Sequence, residues 1–331
     1  MKILLVNDWG EYSGAEVIIQ EIISGLKEKG HETYFLVFPS VVEFKHVLED
    51  FKPDIVNFHN IILTGILPVL ICKKKGIPIL QTLHDYWLVC KFRHHYILQT
   101  NSICNRFDHT MCMNCLDMLG HFPHPEQLKN IYKDIHLHVP SNYMKEVLIR
   151  FGYSEEKIHV IHHGLRPRVG NIKDLNYVFS IVSEMPWKGK EIIFQLQKKY
   201  PSLQFVIRGM PLGKLEKSDK RYLSEEEKFK MYRECSLVIN PTRWEEPCGL
   251  INLEAMLSSK VVLGLKVGSL PEYVPNILSS DYKELEENLI ELMSNEKKRR
   301  ELGYENFQIY REKFTSEKMV EKYIEEVKNI C

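Results

Sequence analysis

Short apolar strands alternating with amphipathic helices, in two successive series, predict an α/β protein built from two doubly wound domains. Three observations carry that expectation. The chain has 331 residues, about twice the usual size of a domain. Its strand–helix alternation runs to about residue 165 and then begins again. Hydrophobic residues make up 44% and aromatic residues 11% of the chain, enough for two packed cores. The expected division is therefore 1–165 and 166–314. An irregular cysteine-bearing insertion interrupts the first domain over about 88–125. A last helix, about 315–331, is expected to pack back on the first domain.

The first series opens with the apolar run 2–7. Residues 15–29 follow, with Val17, Ile18, Ile22 and Leu26 along one helical face and Gly30 as the stop signal. Residues 33–38, 55–59 and 77–83 are further strands, separated by helical stretches at 41–50 and 67–75. That order is the pattern of a parallel sheet with helices on both faces. Residues 136–139 lead into Ser141, an N-cap for the helix 143–151. In the second series, 178–182, 203–207, 237–240 and 261–263 read as strands, with helices at 190–200, 225–234 and 250–258. The tail from Tyr282 is helical and highly charged. Open parallel sheets bind ligands beyond the carboxyl ends of their strands, so a cleft between the domains is the expected site.

Composition narrows the classes of function. Lys plus Arg (44) equals Asp plus Glu (44), which argues against a nucleic-acid-coating protein, where a basic excess is expected. No run reaches the roughly 18 apolar residues of a membrane span. The first apolar run is too short for a signal peptide and lacks a cleavage site. The expected location is the cytoplasm, with at most peripheral contact at the membrane inner face. The 8 cysteines then read as thiols or metal ligands.

The segment from Asn240 to Met256 is the most informative. It gives a strand end, a loop holding Glu245 and Glu246, a glycine at 249, and a helix start at Leu250 followed by Glu254. The free amides of a helix N-terminus suit an anionic phosphate. Carboxylates beside such a pocket accept hydrogen bonds from sugar hydroxyls. A nucleotide-diphosphate sugar offers hydroxyls on both sides of its phosphates, on the ribose and on the transferred sugar.

Glu246 and Glu254 form an E-x7-E pattern within E-P-x-G-L-x-x-x-E-A-M, which resembles the retaining two-domain glycosyltransferases of family 4. Further likenesses follow the same order along nearly the whole chain: Ser13-Gly14-Ala15-Glu16, Thr82-Leu83-His84-Asp85-Tyr86-Trp87, Val139-Pro140-Ser141 with 158–164, and Gly268-Ser269-Leu270-Pro271-Glu272. The resemblance implies the GT-B fold, two Rossmann-like domains facing across a cleft. It implies a catalytic pair in His84 and Glu246, with Glu246 on the transferred sugar. Glu254 would bind the ribose, while Gly249 and Leu250 would give amides to the diphosphate. Gly14 would let backbone approach it, and Lys188 would add a cation. The implied chemistry is front-face displacement with retention, in which the leaving diphosphate takes the acceptor's proton and no metal is needed. The implied partners are a UDP- or GDP-sugar and a glycan, lipid-linked or small-molecule acceptor.

One segment departs from that pattern. The family's G-R-x-x-x-x-K-G-like stretch reads Ser183-Glu184-Met185-Pro186-Trp187-Lys188-Gly189 here, keeping the lysine but placing Glu184 near the arginine's position. Arg208 and Arg243 are the substitutes the sequence offers. If neither serves, a non-catalytic relic that binds nucleotide sugars is the alternative, and a nucleotide-sugar epimerase or inverting transferase of the same architecture is another. Cys90, Cys104, Cys112 and Cys115 include one C-x-x-C pair, which suits a structural zinc. Free thiols or redox pairing are the other readings.

Overall fold

A computed structural model of the chain describes residues 1–10, 13–97, 100, 102–104, 125–209 and 223–331. The chain divides into two compact units. The first comprises residues 1–95, 104–164 and 316–331, and the second 96–103 and 165–315.

The first unit alternates β1 (Lys2–Asn7), α1 (Gly14–Glu28), β2 (Glu32–Val37), α2 (Val41–Phe51), β3 (Ile55–Phe58), α3 (Leu67–Lys75) and β4 (Ile79–Thr82). The short antiparallel pair β5 (Tyr96–Ile97) and β6 (Ser102–Ile103) interrupts it and belongs to the second unit. The first unit resumes with α4 (Pro125–Tyr132), β7 (His136–Val139), α5 (Asn142–Arg150) and β8 (Ile158–Val160). Its strands pair in parallel in the order β2-β1-β3-β4-β7-β8. Ile3, Leu4, Leu5 and Val6 are wholly buried, as in a parallel sheet covered on both faces. Ser13, Ser40 and Ser141 cap α1, α2 and α5 through their side-chain oxygens, each satisfying an amide that the helix cannot.

The second unit runs β9 (Tyr177–Val182), α6 (Lys190–Lys199), β10 (Gln204–Gly209), α7 (Glu225–Glu234), β11 (Leu237–Asn240), α8 (Leu250–Leu257), β12 (Val262–Leu265), α9 (Leu270–Tyr273), β13 (Leu278–Ser279), α10 (Tyr282–Ser294) and α11 (Glu296–Lys313). Its sheet is again parallel, in the order β10-β9-β11-β12-β13. Val178, Ile193, Leu237, Ile239, Leu263 and Leu289 are among the side chains of its core. The chain then returns to the first unit as α12 (Ser316–Ile330).

Two features fix α12 on the first unit. Val320 meets α1 at Gly25, where a Cβ would stand only 2.5 Å from Val320 Cγ2. Tyr323 Oη donates to Asn57 Oδ1 at 2.9 Å inside the sheet. Among the described residues, no helix is long and apolar enough to cross a membrane.

Candidate functional site

The second unit places its chemistry at the reversal of strand order, where β10 lies on one side of β9 and β11 on the other. The carboxyl edge at such a reversal is a natural ligand position. After β9 the chain turns through Pro186–Lys188 into Gly189. Gly189 has φ +73°, and a Cβ there would lie 2.2 Å from Pro241 O, so only glycine lets the two loops approach this closely.

That approach brings Lys188 to Glu246. Its Nζ donates to Glu246 Oε1 and lies 4.5 Å from the centroid of the Trp244 ring. Glu246 is buried at 4% exposure, and its backbone carbonyl accepts from Ser269 N (3.1 Å) and Ser269 Oγ (2.8 Å) in the loop after β12. Of the two adjacent glutamates, Glu246 is the one turned inward, while Glu245 is half-buried. Gly249 caps α8 with φ 76°. A Cβ there would meet Glu246 Oε2 at 2.4 Å and Asn252 Nδ2 at 2.8 Å. The carboxylate, the glycine and the start of α8 at Leu250 therefore share one corner.

Glu254 sits on α8 at 6% exposure, fully bonded: Lys228 Nζ donates to Oε1 at 2.7 Å and Tyr232 Oη to Oε2 at 2.8 Å. Burial alone would lower the Lys228 pKa, but Glu254 and Glu225 outweigh it and hold the amine above its usual value. Burial and the adjacent Glu254 push the Tyr232 phenol well above its ordinary range. Asn240 Nδ2 donates to Asn252 Oδ1 at 3.1 Å, and Asn252 Nδ2 is a buried donor with no hydrogen-bond acceptor among the described residues. Lys228, Tyr232 and Asn252 are not evident as site residues in the sequence. The spacing of Lys228 and Tyr232 puts both on one face of α7, but not which helix that face meets.

The other charged residues of this region have partners of their own. Glu184 is exposed and paired with Lys190. Arg243 is held by Glu191 and by Tyr282 Oη. Arg208 lies on the edge strand β10, where Nη1 donates to Ile207 O at 3.1 Å. Among the described residues, Lys188 is the cation brought to Glu246.

In the first unit, Gly14 is the first residue of α1, behind the cap at Ser13. Asn7, at the end of β1, donates to Glu16 Oε1 at 2.7 Å and accepts from Asn60 N at 3.0 Å. His84 follows β4 and meets the buried His59, which follows β3 directly. Of the four cysteines the sequence singles out, Cys90 and Cys104 are free thiols. Burial, with Cys104 nearby, pushes the Cys90 thiol up to about 11. Cys112 and Cys115 lie outside the described residues. Among the described residues, no group of three or more His, Cys, Asp or Glu side chains is placed to hold a metal.

Two parallel Rossmann-like sheets of this order define the GT-B class of fold. Solved structures agree over almost the whole chain. The Anabaena protein Alr3699/HepE, in complex with UDP and glucose, superposes with a TM-score of 0.73 at 15% identity, covering 99% of both chains. Sucrose-phosphate synthase from Thermosynechococcus elongatus gives 0.72 at 13% identity, covering 99% of this chain and 98% of that one. Residues 170–308 match the family model described as Glycosyl transferases group 1. An uncharacterized glycosyltransferase of Methanocaldococcus jannaschii is 27% identical over 304 residues, 83% of this chain and 75% of that protein. An uncharacterized 42.6 kDa protein in the cps region of Klebsiella pneumoniae is 26% identical, covering 72% of this chain and 65% of that protein. Fold and family match together support a glycosyltransferase of the group 1, GT-B type.

Proposed function

We propose that the chain is a retaining hexosyltransferase that takes its sugar from a nucleoside-diphosphate donor. The observation that supports this reading is the corner after β11, where the buried Glu246 carboxylate meets Lys188 and Gly249 at the start of α8, with the buried Glu254 four residues further along that helix. The helix end and Lys188 suit the diphosphate, which leaves with added negative charge. Glu246 accepts from hydroxyls of the transferred sugar and Glu254 from the ribose, while Gly249 and Leu250 lend amides. Gly14 allows close backbone approach in the first unit, and Arg208 reaches the phosphates only by leaving its bond to Ile207 O. Because Glu246 and Glu254 are already bonded to lysines, donor hydroxyls exchange for Lys188 and Lys228 on binding.

In the reaction, the bond from the anomeric carbon to the diphosphate oxygen breaks, and the acceptor oxygen bonds on the same face. The acceptor proton passes to the departing diphosphate. Positioning and charge stabilisation supply the acceleration, with no metal in the chemistry. The UDP and glucose in the HepE structure make UDP-glucose the first donor to test, with GDP-sugars next. We place the reaction in the cytoplasm, on a glycan, lipid-linked or small-molecule acceptor, with at most peripheral membrane contact.

The test is release of nucleoside diphosphate from a panel of donors, with the anomeric configuration of the product read by NMR. Retention is expected, with activity lost in Glu246→Ala and Glu254→Ala while both remain folded. An inverted product would remove the retaining mechanism. Undiminished turnover in both variants would remove the site.

A further inference from the structure

Three imidazoles gather at the carboxyl edge of the first sheet: His59 after β3, His84 after β4 and His163 after β8. The rings of His59 and His84 are stacked, with centroids 5.2 Å apart and an interplanar angle of 17°. Nδ1 of His59 lies 2.9 Å from Nε2 of His84. His163 stands 5.4 Å from His84, ring to ring. Burial, reinforced by their neighbouring histidines, holds all three below the ordinary imidazole value, His84 at about 3. Each is therefore neutral near pH 7 and carries one ring N–H.

The hydrogen bond between His59 and His84 can run in either of two directions. If His84 donated from Nε2, the proton of His59 would sit on its own Nε2, which is buried and meets no hydrogen-bond partner among the described residues. If His59 donates from Nδ1, its Nε2 is a bare lone pair instead. A buried N–H without an acceptor is rarer and costlier than an unused acceptor, so the second direction wins. His84 then carries its proton on Nδ1.

His138 does not disturb this arrangement. It donates from Nε2 to Ile161 O at 3.0 Å and accepts at Nδ1 from Thr82 Oγ1 at 3.1 Å. His59 is sealed at 0% exposure, whereas His84 is partly exposed.

We infer that His59 is a positioning residue that fixes His84 in its Nδ1–H tautomer, so that His84 meets a substrate oxygen as a hydrogen-bond donor and not as a proton acceptor. The inference rests on the reading of His84 as a site residue, and its consequence is specific. A tautomer set by a neighbour fixes which atom faces substrate.

Long-range ¹H–¹⁵N spectra of ring-labelled protein at pH 7.5 test it, with His84→Gln identifying the resonance. The expected pattern is a protonated Nδ1 and a bare Nε2 on His84; the reverse pattern would overturn the assignment. Turnover gives a second readout. His59→Leu is expected to lower kcat about 100-fold with KM for the donor little changed. His59→Asn, whose amide can donate from near the place of Nδ1, is expected to recover most of it. Full activity in the leucine variant, or equal loss in both, would contradict the positioning role. Because the spectra need no turnover, a protein with the expected tautomer but no transferase activity would sink the proposed function and leave the assignment standing.

Discussion

Glu254 is a buried carboxylate with one partner on each oxygen, Lys228 and Tyr232, and that pairing makes it testable without substrate. Tyr232→Phe removes a single hydrogen bond to a charged group and leaves one oxygen buried and unpaired. The variant is expected to lose about 1.5–3 kcal/mol of stability, read as a lower urea midpoint with an unchanged slope. Gly249→Ala should act differently. It forces a side chain into a left-handed backbone position and against Glu246, so donor binding is expected to fall by more than tenfold, measured by titration calorimetry. Glu246, Gly249 and Glu254 were legible in the sequence because they lie within nine residues of one strand–loop–helix segment. Lys188 was legible only through its family motif. Lys228, Tyr232 and Asn252 were not, because each acts through packing of α7 on α8 or through an asparagine pair, and neither leaves a spacing signal. Nothing local in the sequence shows that Glu191 and Tyr282 hold Arg243, or that Arg208 donates to Ile207 O.

At the scale of elements, the alternation of apolar runs with amphipathic stretches gave most strands and helices to within two residues, since parallel strands buried on both faces are short and nearly continuous in apolar residues. The pair β5–β6 was not legible. It is four residues of strand inside a polar stretch, and Tyr96 packs 6.2 Å from Trp187, ring to ring, far along the chain.

The clamp on α11 was equally hidden. Arg299 donates to Asp174 Oδ2 from Nε at 3.2 Å and from Nη2 at 2.7 Å. Its Nη1 caps α10 through the carbonyls of Leu292 (2.6 Å) and Met293 (2.9 Å). Burial would raise the Asp174 carboxyl, but Ser236 and Arg299 outweigh it and hold it below its usual pKa. Breaking a buried pair from one side leaves a charge uncompensated. Arg299→Ala is therefore expected to cost about 3–5 kcal/mol, and the Asp174→Ala/Arg299→Ala double variant less than the sum of the two singles. Additive losses in that cycle would show that the pair does not act as a unit.

At the scale of the molecule, the histidines of the first unit set a dependence on pH. Burial lowers His84 to about 3 and His138 to about 4, and holds His59 and His163 well below the ordinary value. Between about pH 6.5 and 4, the unfolded chain binds protons at these positions that the folded chain does not. Stability from the neutral imidazoles is thus fully present above pH 6.5 and lost as the pH falls, by about 1.4 kcal/mol per pH unit for each such proton. Urea midpoints at pH 8, 7, 6 and 5 should hold level and then drop, and a flat profile would contradict the buried neutral cluster. The cysteine segment gives a separate expectation. If Cys90, Cys104, Cys112 and Cys115 hold a structural metal, elemental analysis finds one zinc per chain, and its absence removes that reading.

The most direct test of the central claim is calorimetric titration of UDP-glucose, GDP-glucose and ADP-glucose into the wild type and into Glu254→Gln. Saturable binding of one of these donors at a single site is expected, weakened at least tenfold in the variant, which removes the negative charge and one of the two acceptor oxygens assigned to the ribose. Equal affinity in the two proteins, or no binding of any of the three, would contradict a nucleotide-sugar site built on the two glutamates and the start of α8.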